Sequence, residues 1–498
     1  MTKPKSPGQQ AVLTDANGNV LIQIIGDSNS VKLDVGTPRL LLELPVPSPL
    51  PDKTDSAYTE LKLLSPYAKD FPYRGFVQFL DDMKAFLREN KTVAARLVIG
   101  PGGRGKTRMA LELCRHAREE GWEAGFAASE NIRDLSGRMR LLRWSKDTLV
   151  IVDYASLVTK ELREWFRYLM EYTQSEPSPK LRIVLLERHG SRDIGWWSEL
   201  VSLGSWQTCD LDAILDSREP LSLPALTDPV EQIRVMQDTL KASGRSFTLS
   251  EQDDKLHQAL DKMDWAAQPL YLKMAALCMQ AENSVPVLGK AALAYELTGR
   301  EGSVLGKVAE GKGAEGKFAQ RMAAYATLTR GLTKEQYRKA IKKESSELGC
   351  SLPPLDFFPL LQGRLPGKEE DDIGELLPDV VGEAFILLYL DGQDACLRAY
   401  AMKPREVIDT LVRCVQYISY RSNRRNAGNP LDWLDAIYLS IKGSHEKLEA
   451  LAMLLPERTT TLRQLAANVT RRVMIPNWRA CSTILPFSIL IWVVVRRR

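Results

Sequence analysis

The chain has 498 residues, of which 44% are hydrophobic and 26% charged, and its formal net charge is +4. Length suggests about three domains, and the ordinary apolar fraction indicates folded globular material. So small a charge excludes a general electrostatic case for nucleic-acid binding and leaves only local basic patches to consider. The seven cysteines are scattered, odd in number and without a CxxC pair, and the four histidines form no HExxH. That fits a reducing, cytoplasmic setting and argues against a disulfide framework or a zinc site.

The first residues, MTKPKSPGQQ, lack the apolar stretch of a secretory signal. Residues 1–60 read as a polar segment closed by a Pro-rich linker, LPVPSPLPDKTDS. Within it Val20, Ile22 and Ile24 alternate with other residues, and Val31 and Leu33 follow a GDSNS turn; a small hairpin or an ordered tail is expected. From Tyr73 the pattern becomes helical through Val77, Leu80, Met83, Phe86 and Leu87. A short strand, Arg96–Ile99, a Gly-rich loop and a helix through Ala110, Leu111, Leu113 and Cys114 come next. Leu149–Val152 and Ile183–Leu186 read as fully buried strands, so residues 61–210 predict a parallel α/β sheet with helices on both faces.

After about residue 210 the strand signals stop. Residues 211–304 predict a helical lid. Residues 305–400 predict a winged-helix-like region that opens on a flexible Gly/Lys-rich connection, LGKVAEGKGAEGK (305–317). Residues 401–498 predict a helical region, or the start of a helical array cut short. The apolar run CSTILPFSILIWVVV (481–495) precedes Arg496, Arg497 and Arg498. It is shorter than the roughly 20 residues of a spanning helix and Pro486 interrupts it. A buried terminal segment or an out-of-frame tail is the main reading, and a membrane anchor with cytoplasmic arginines is the alternative.

The chemistry concentrates in Gly100, Pro101, Gly102, Gly103, Arg104, Gly105, Lys106 and Thr107, with Arg108 following, which match GxxxxGK[ST]. A strand precedes the motif and a helix follows it. The glycines let backbone N–H groups curl towards phosphate oxygens, and the helix N-terminus adds a favourable dipole. Lys106 carries a mobile charge for the β- and γ-phosphates, and Thr107 a hydroxyl for Mg²⁺; ATP or ADP with Mg²⁺ is the expected ligand. Asp153, closing LVIVD, is the expected second contact to Mg²⁺, through water. Tyr154 follows it where many hydrolytic relatives place a second acid, which argues against fast turnover unless Glu187 substitutes. Arg188 could sense the γ-phosphate from a neighbouring strand tip. Trp196 and Trp197 are expected to pack against the sheet edge rather than form a binding surface, and Arg421–Arg425 and Arg471–Arg472 to be solvated faces rather than nucleic-acid contacts.

The order YRG, GPGGRGKT, LVIVDYA, RIVLLER and then QPLYL resembles the STAND class of signalling ATPases, which includes the NACHT and NB-ARC proteins, and its bacterial members above all. LLPDVVGEAF resembles a segment of their winged-helix region, and LPERTTTLRQLAANVTRR the opening of their helical sensor arrays. The likeness spans roughly Leu61 to Arg472. It implies that Tyr73, Arg74 and Gly75 lie near the base, that Pro269 packs near the adenine, and that Arg188 is a sensor arginine. It implies an ATP-operated switch that self-associates and works with an effector or sensor protein in bacterial signalling or phage defence. An AAA+-like remodelling ATPase and a winged-helix transcription regulator are the alternatives.

Overall fold

The computed structural model describes residues 13–16, 19–22, 38–45, 59–68, 71–172, 179–193, 195–201, 214–280, 285–351, 357–367, 371–417, 428–455 and 461–474. Ile24, Val31, Leu33, most of the Pro-rich linker, Arg421–Arg425 and the apolar tail at 481–498 lie outside them. No helix of the described residues is long and apolar enough to cross a membrane. The chain divides into two compact units. One comprises Met1–Pro45, Gln78–Gly100 and Met109–Leu223; the other comprises Val46–Val77, Pro101–Arg108 and Pro224–Arg498.

The first unit is built on strands. β1 (Leu13–Ala16) and β2 (Asn19–Ile22) pair as a separate antiparallel hairpin. Its first strand lies upstream of the alternation at Val20 and Ile22 that signalled it, so the partner strand precedes that signal. The main sheet runs β3 (Leu42–Glu43), β5 (Glu123–Ala127), β6 (Thr148–Asp153), β7 (Leu181–Glu187), β4 (Val93–Ile99), β8 (Leu221–Ser222). All neighbours are parallel except the edge strand β3, which is antiparallel to β5. Strands thus extend past residue 210, where the strand signals stop, because the two-residue β8 pairs with the end of β4 and is too short to show periodicity.

Both sheet faces are covered, which is why the strands read as unbroken apolar runs. Ala95, Leu97, Val150, Val152, Ile183 and Leu185 form one buried cluster with Leu162, Trp165 and Phe166 of α4 (Thr159–Tyr172). The alternate residues Ala94, Val98, Leu149, Ile151, Val184 and Leu186 are equally buried. The unit's other helices are α1 (Val77–Arg88), α2 (Lys106–Glu119), α3 (Ser129–Asp134) and α5 (Gly195–Val201), the first two of which cross the unit boundary. Trp197 on α5 is fully buried in the core and Trp196 packs against it, which settles the pair as packing residues. Arg182 is fully buried too. Its guanidinium donates to the carbonyls of Phe86 (3.0 Å) and Glu89 (2.6 Å), satisfying the last turn of α1 and the residue beyond it.

The second unit is helical: α6 (Pro229–Ala242), α7 (Asp254–Asp261), α8 (Pro269–Cys278), α9 (Lys290–Glu310), α10 (Gly316–Leu328), α11 (Lys334–Leu348), α12 (Phe357–Arg364), α13 (Asp379–Tyr389), α14 (Gln393–Met402), α15 (Pro404–Tyr417), α16 (Pro430–Ile441), α17 (His445–Leu454) and α18 (Arg463–Met474). Residues 305–310, expected within a flexible connection, instead complete the 21-residue α9. The glycines there serve close approach, not freedom. A Cβ on Gly316 would lie 3.1 Å from the Cα of Gly306, so α9 and α10 cross where neither has a side chain. Downstream, Leu332 bridges Ile373, which also bridges Pro366, so short extended pieces alternate with α10, α11 and α12 in winged-helix-like order.

Buried charge joins these helices. Glu344 on α11 is fully buried and accepts from Arg321 Nε at 2.7 Å and from Arg398 at 2.6 and 2.9 Å. That hydrogen bonding holds the Arg398 pKa above its ordinary value. A carboxylate serving two guanidinium groups is costly to neutralise, since both cations then lose their counter-charge. Glu344→Gln is expected to destabilise the second unit by about 3–5 kcal/mol, as a lowered urea midpoint in equilibrium unfolding; an unchanged midpoint would refute the assignment.

Candidate functional site

In the first unit the site begins as a property of sheet topology. From β4 the chain crosses through α2 to β5, three positions away, then steps back through β6 to β7 beside β4. From β7 it departs for β8 on β4's other side. Connections leaving β4 and β7 therefore diverge, which makes their carboxyl ends the topological switch point where ligands bind in open α/β sheets. Ile99 is opposite Glu187, and the Gly100 N–H donates to the Glu187 carbonyl at 3.2 Å. Asp153 is opposite Leu186. The strand-tip residues picked from sequence, Asp153, Glu187 and Arg188, thus share one sheet edge with Gly100. Asp153 is two strand spacings from β4, or about 10 Å.

Local backbone explains how Asp153 is presented. Tyr154 adopts a left-handed conformation, φ 54°, which costs a non-glycine residue about 1 kcal/mol or more. The Asp153 carboxylate accepts from the Tyr154 N–H at 3.0 Å and steadies that turn. Arg188, directly after β7, is buried. The left-handed turn has no sequence signal, because tyrosine gives no hint of positive φ.

The loop from Pro101 to Arg108 belongs to the second unit. Gly103 and Gly105 have φ of 80° and 105°. The Arg104 N–H donates to the Pro101 carbonyl at 3.3 Å, and Lys106 Nζ reaches the same carbonyl at 3.4 Å, arching over the loop. Arg104 Nε is buried with no hydrogen-bond partner among the described residues, and burial lowers the pKa of its guanidinium. The arrangement fits a polyphosphate. Glycines supply the curl, α2 starts at Lys106 so that its first-turn N–H groups have no intrahelical partner, and two cations stand within the loop itself.

The lid helix α8 sits on this loop. Its Pro269 occupies the first helical turn. The Leu270 N–H donates to the Gly103 carbonyl at 3.2 Å. With its amide oriented to satisfy both neighbours, Gln268 donates to the Gly102 carbonyl at 3.0 Å and accepts from Lys290 Nζ at 3.0 Å. A Cβ on Gly103 would come within 2.9 Å of the Leu270 Cβ, so only glycine permits this approach. Gln268 and Leu270 were missed in the sequence; the QPLYL motif drew attention to its proline, not to the polar groups beside it.

The segment before the P-loop strand is fixed to the same unit. The Arg108 guanidinium donates to the carbonyls of Pro66, Ala68 and Phe71 at 2.7–3.0 Å, which is a positioning role. Arg74 pairs with Asp238 of α6 at 2.8 Å. Gly75 has φ 80°, and a Cβ there would meet Leu226. Lys273 of α8 lies 3.6 Å above the Phe71 ring and donates to the Leu63 carbonyl at 3.3 Å. Burial of its ammonium, together with repulsion from Arg108 and against attraction to Asp238, lowers its pKa to about 7.

Because folding depresses this pKa, between about pH 7 and the ordinary lysine value the unfolded chain holds a proton that the folded chain has lost, so stability rises with pH. Replacing Lys273 with Met is expected to remove a slope of about 1.4 kcal/mol per pH unit in that window and to stabilise the protein at neutral pH. Unfolding free energies of both forms measured from pH 7 to 9 check this; parallel profiles would sink it.

No protein-family model matches the chain, and no curated protein sequence matches it. Solved structures similar to it include Cdc6p from Pyrobaculum aerophilum, with TM-score 0.31 and 12% identity over 65% of this chain and 97% of that one. The Aeropyrum pernix ORC1 protein in complex with DNA gives 0.28 and 15%, over 63% and 92% of the two chains. AMPPCP-bound DnaA from Aquifex aeolicus gives 0.27 and 12%, over 85% and 100%. TM-scores this low carry no argument, and the assignment rests on the chain's own sheet and loop: strand, GPGGRGKT loop and helix at the switch point of a mostly parallel sheet are a P-loop NTPase fold.

Proposed function

We propose that the chain is an ATP-operated switch of the STAND type, closed with ADP and opened by ATP into a self-associating form. The observation that supports it best is the pair of hydrogen bonds from Gln268 and Leu270 to the carbonyls of Gly102 and Gly103. They make lid position and loop conformation one variable, and a ligand moves such an equilibrium only by preferring one state. Lys106 would hold the β- and γ-phosphates, Thr107 and Asp153 would hold Mg²⁺, and Arg188 would read the γ-phosphate. Bound Mg²⁺ would supply charge neutralisation at the phosphates. With Tyr154 after Asp153, slow turnover is part of the proposal. A cytoplasmic setting, an effector or sensor partner, and bacterial signalling or phage defence follow from the resemblance alone.

A remodelling ATPase of AAA+ type is the second reading, and the place of Glu187 beside β4 at the switch point favours it. A DNA-reading winged helix is less well supported. In α12, Phe357, Leu360 and Leu361 are buried, and Arg364 is buried in a 2.7 Å pair with Glu301.

Purified protein is expected to retain ADP and to turn ATP over slowly, and Lys106→Ala to lose both. Rapid turnover abolished by Glu187→Gln would replace the switch with the remodelling reading. A second expectation concerns the lid: Gly103→Ala should push α8 off the loop and speed release of a fluorescent ADP analogue by about tenfold, the equivalent of one or two lost hydrogen bonds. Release at the wild-type rate in stopped flow would contradict the coupling.

A further inference from the structure

Far along the chain from the loop, α16, α17 and α18 line an open, concave cavity of about 690 Å³. Lys442, His445, Arg471 and Arg472 line it, with Tyr438 and Asn468 adding a hydroxyl and an amide. The volume is that of a small-molecule site. Its wall charge is one-sided. Lys442, Arg471 and Arg472 come from two different places in the chain, and none of them is in an ion pair among the described residues.

Ordinary helix chemistry accounts for part of this. Arg471 and Arg472 lie in the last turn of α18, where the helix dipole favours cations. It also places Lys442, the C-cap of α16, so the cationic ends of two separate helices converge on the same cavity. The cavity also borders the start of α17, where the N-cap Ser444 makes no side-chain hydrogen bond to the first turn. His445 is held in place, its Nε2 3.1 Å from the Val473 carbonyl and its Nδ1 3.6 Å from Glu449. Leu448 contributes an apolar surface.

We infer that this cavity is a second anion site that takes a small molecule bearing two or more phosphates, with Lys442, Arg471 and Arg472 as its charge contacts. Concave shape and nucleotide-scale volume favour a compact ligand over a nucleic-acid strand, which needs an extended basic track. Arg471 and Arg472 provide forked donors suited to phosphate oxygens, and Lys442 a mobile point charge. Tyr438 and Asn468 can order the remaining oxygens.

Calorimetric titration of inorganic pyrophosphate into the full chain tests this, with Lys106→Ala included to silence the P-loop. Binding is expected to persist in Lys106→Ala, to weaken about tenfold in Lys442→Ala and by more in Arg471→Ser/Arg472→Ser, about one decade per lost charge-assisted contact. Lys442 is exposed, so its variant tests the site even if the double variant misfolds. Binding abolished by Lys106→Ala and indifferent to the other changes would overturn the site, as would no binding to any form. A short single-stranded oligonucleotide or an acidic peptide that binds more tightly than pyrophosphate, and depends on the same three residues, would also overturn the small-molecule assignment.

Discussion

A loop that turns its N–H groups inward to hold an anion must turn carbonyls outward, and buried carbonyls need donors. In this chain that requirement is met by the first turn of α8, whose own N–H groups lack intrahelical partners. Leu270 gives its N–H to Gly103 and Gln268 its amide to Gly102. One orphaned backbone N–H and one side-chain amide therefore satisfy the two loop carbonyls. Gly103 cannot become a larger residue without separating them, Pro269 costs nothing at a position with no donor to lose, and Lys290 is drawn to the far side of Gln268.

The same economy of charge and backbone recurs at larger scale. Arg108 collects three carbonyls from the segment before the P-loop, and Arg182 collects those at the end of α1. Glu344 binds two arginines from different helices. Arg182 and Glu344 are buried and Arg108 partly so, and in each case desolvation of an ionised group is offset by several directed hydrogen bonds, an arrangement that specifies which segments meet. Apolar packing alone would tolerate sliding at these junctions.

How much of this could be read from sequence depended on local redundancy. The P-loop, β6 and β7 were legible because motif, apolar run and flanking polarity agree at each. β5, Glu-Ala-Gly-Phe-Ala, was not, since alanine and glycine are poor strand formers and only its place beside β6 makes it a strand. The two-residue β3 and β8 exist only through pairing. The glycines at 306 and 316 misled for a related reason: a glycine that frees a chain and one that lets two helices touch look alike in one dimension. Strand order, and with it the switch point, is a long-range property with no local signature. The loop's GxxxxGK[ST] pattern is local, whereas its contacts to Gln268 and Leu270 depend on the fold.

The size of the loop–lid contact bears on what the chain can do with a nucleotide. Two hydrogen bonds of ordinary strength contribute about 1–3 kcal/mol net, which is also the usual range of coupling between two sites. Two bonds of this strength can be broken by one additional charged group on the ligand, provided that group prefers one loop conformation. Because Lys106 reaches the Pro101 carbonyl across the loop, anything that draws its ammonium towards a γ-phosphate also alters the loop whose carbonyls α8 reads. In the proposed switch turnover need not be fast, since the signal would lie in which nucleotide is bound. A left-handed tyrosine after Asp153, in place of a second acid, is compatible with that division of labour.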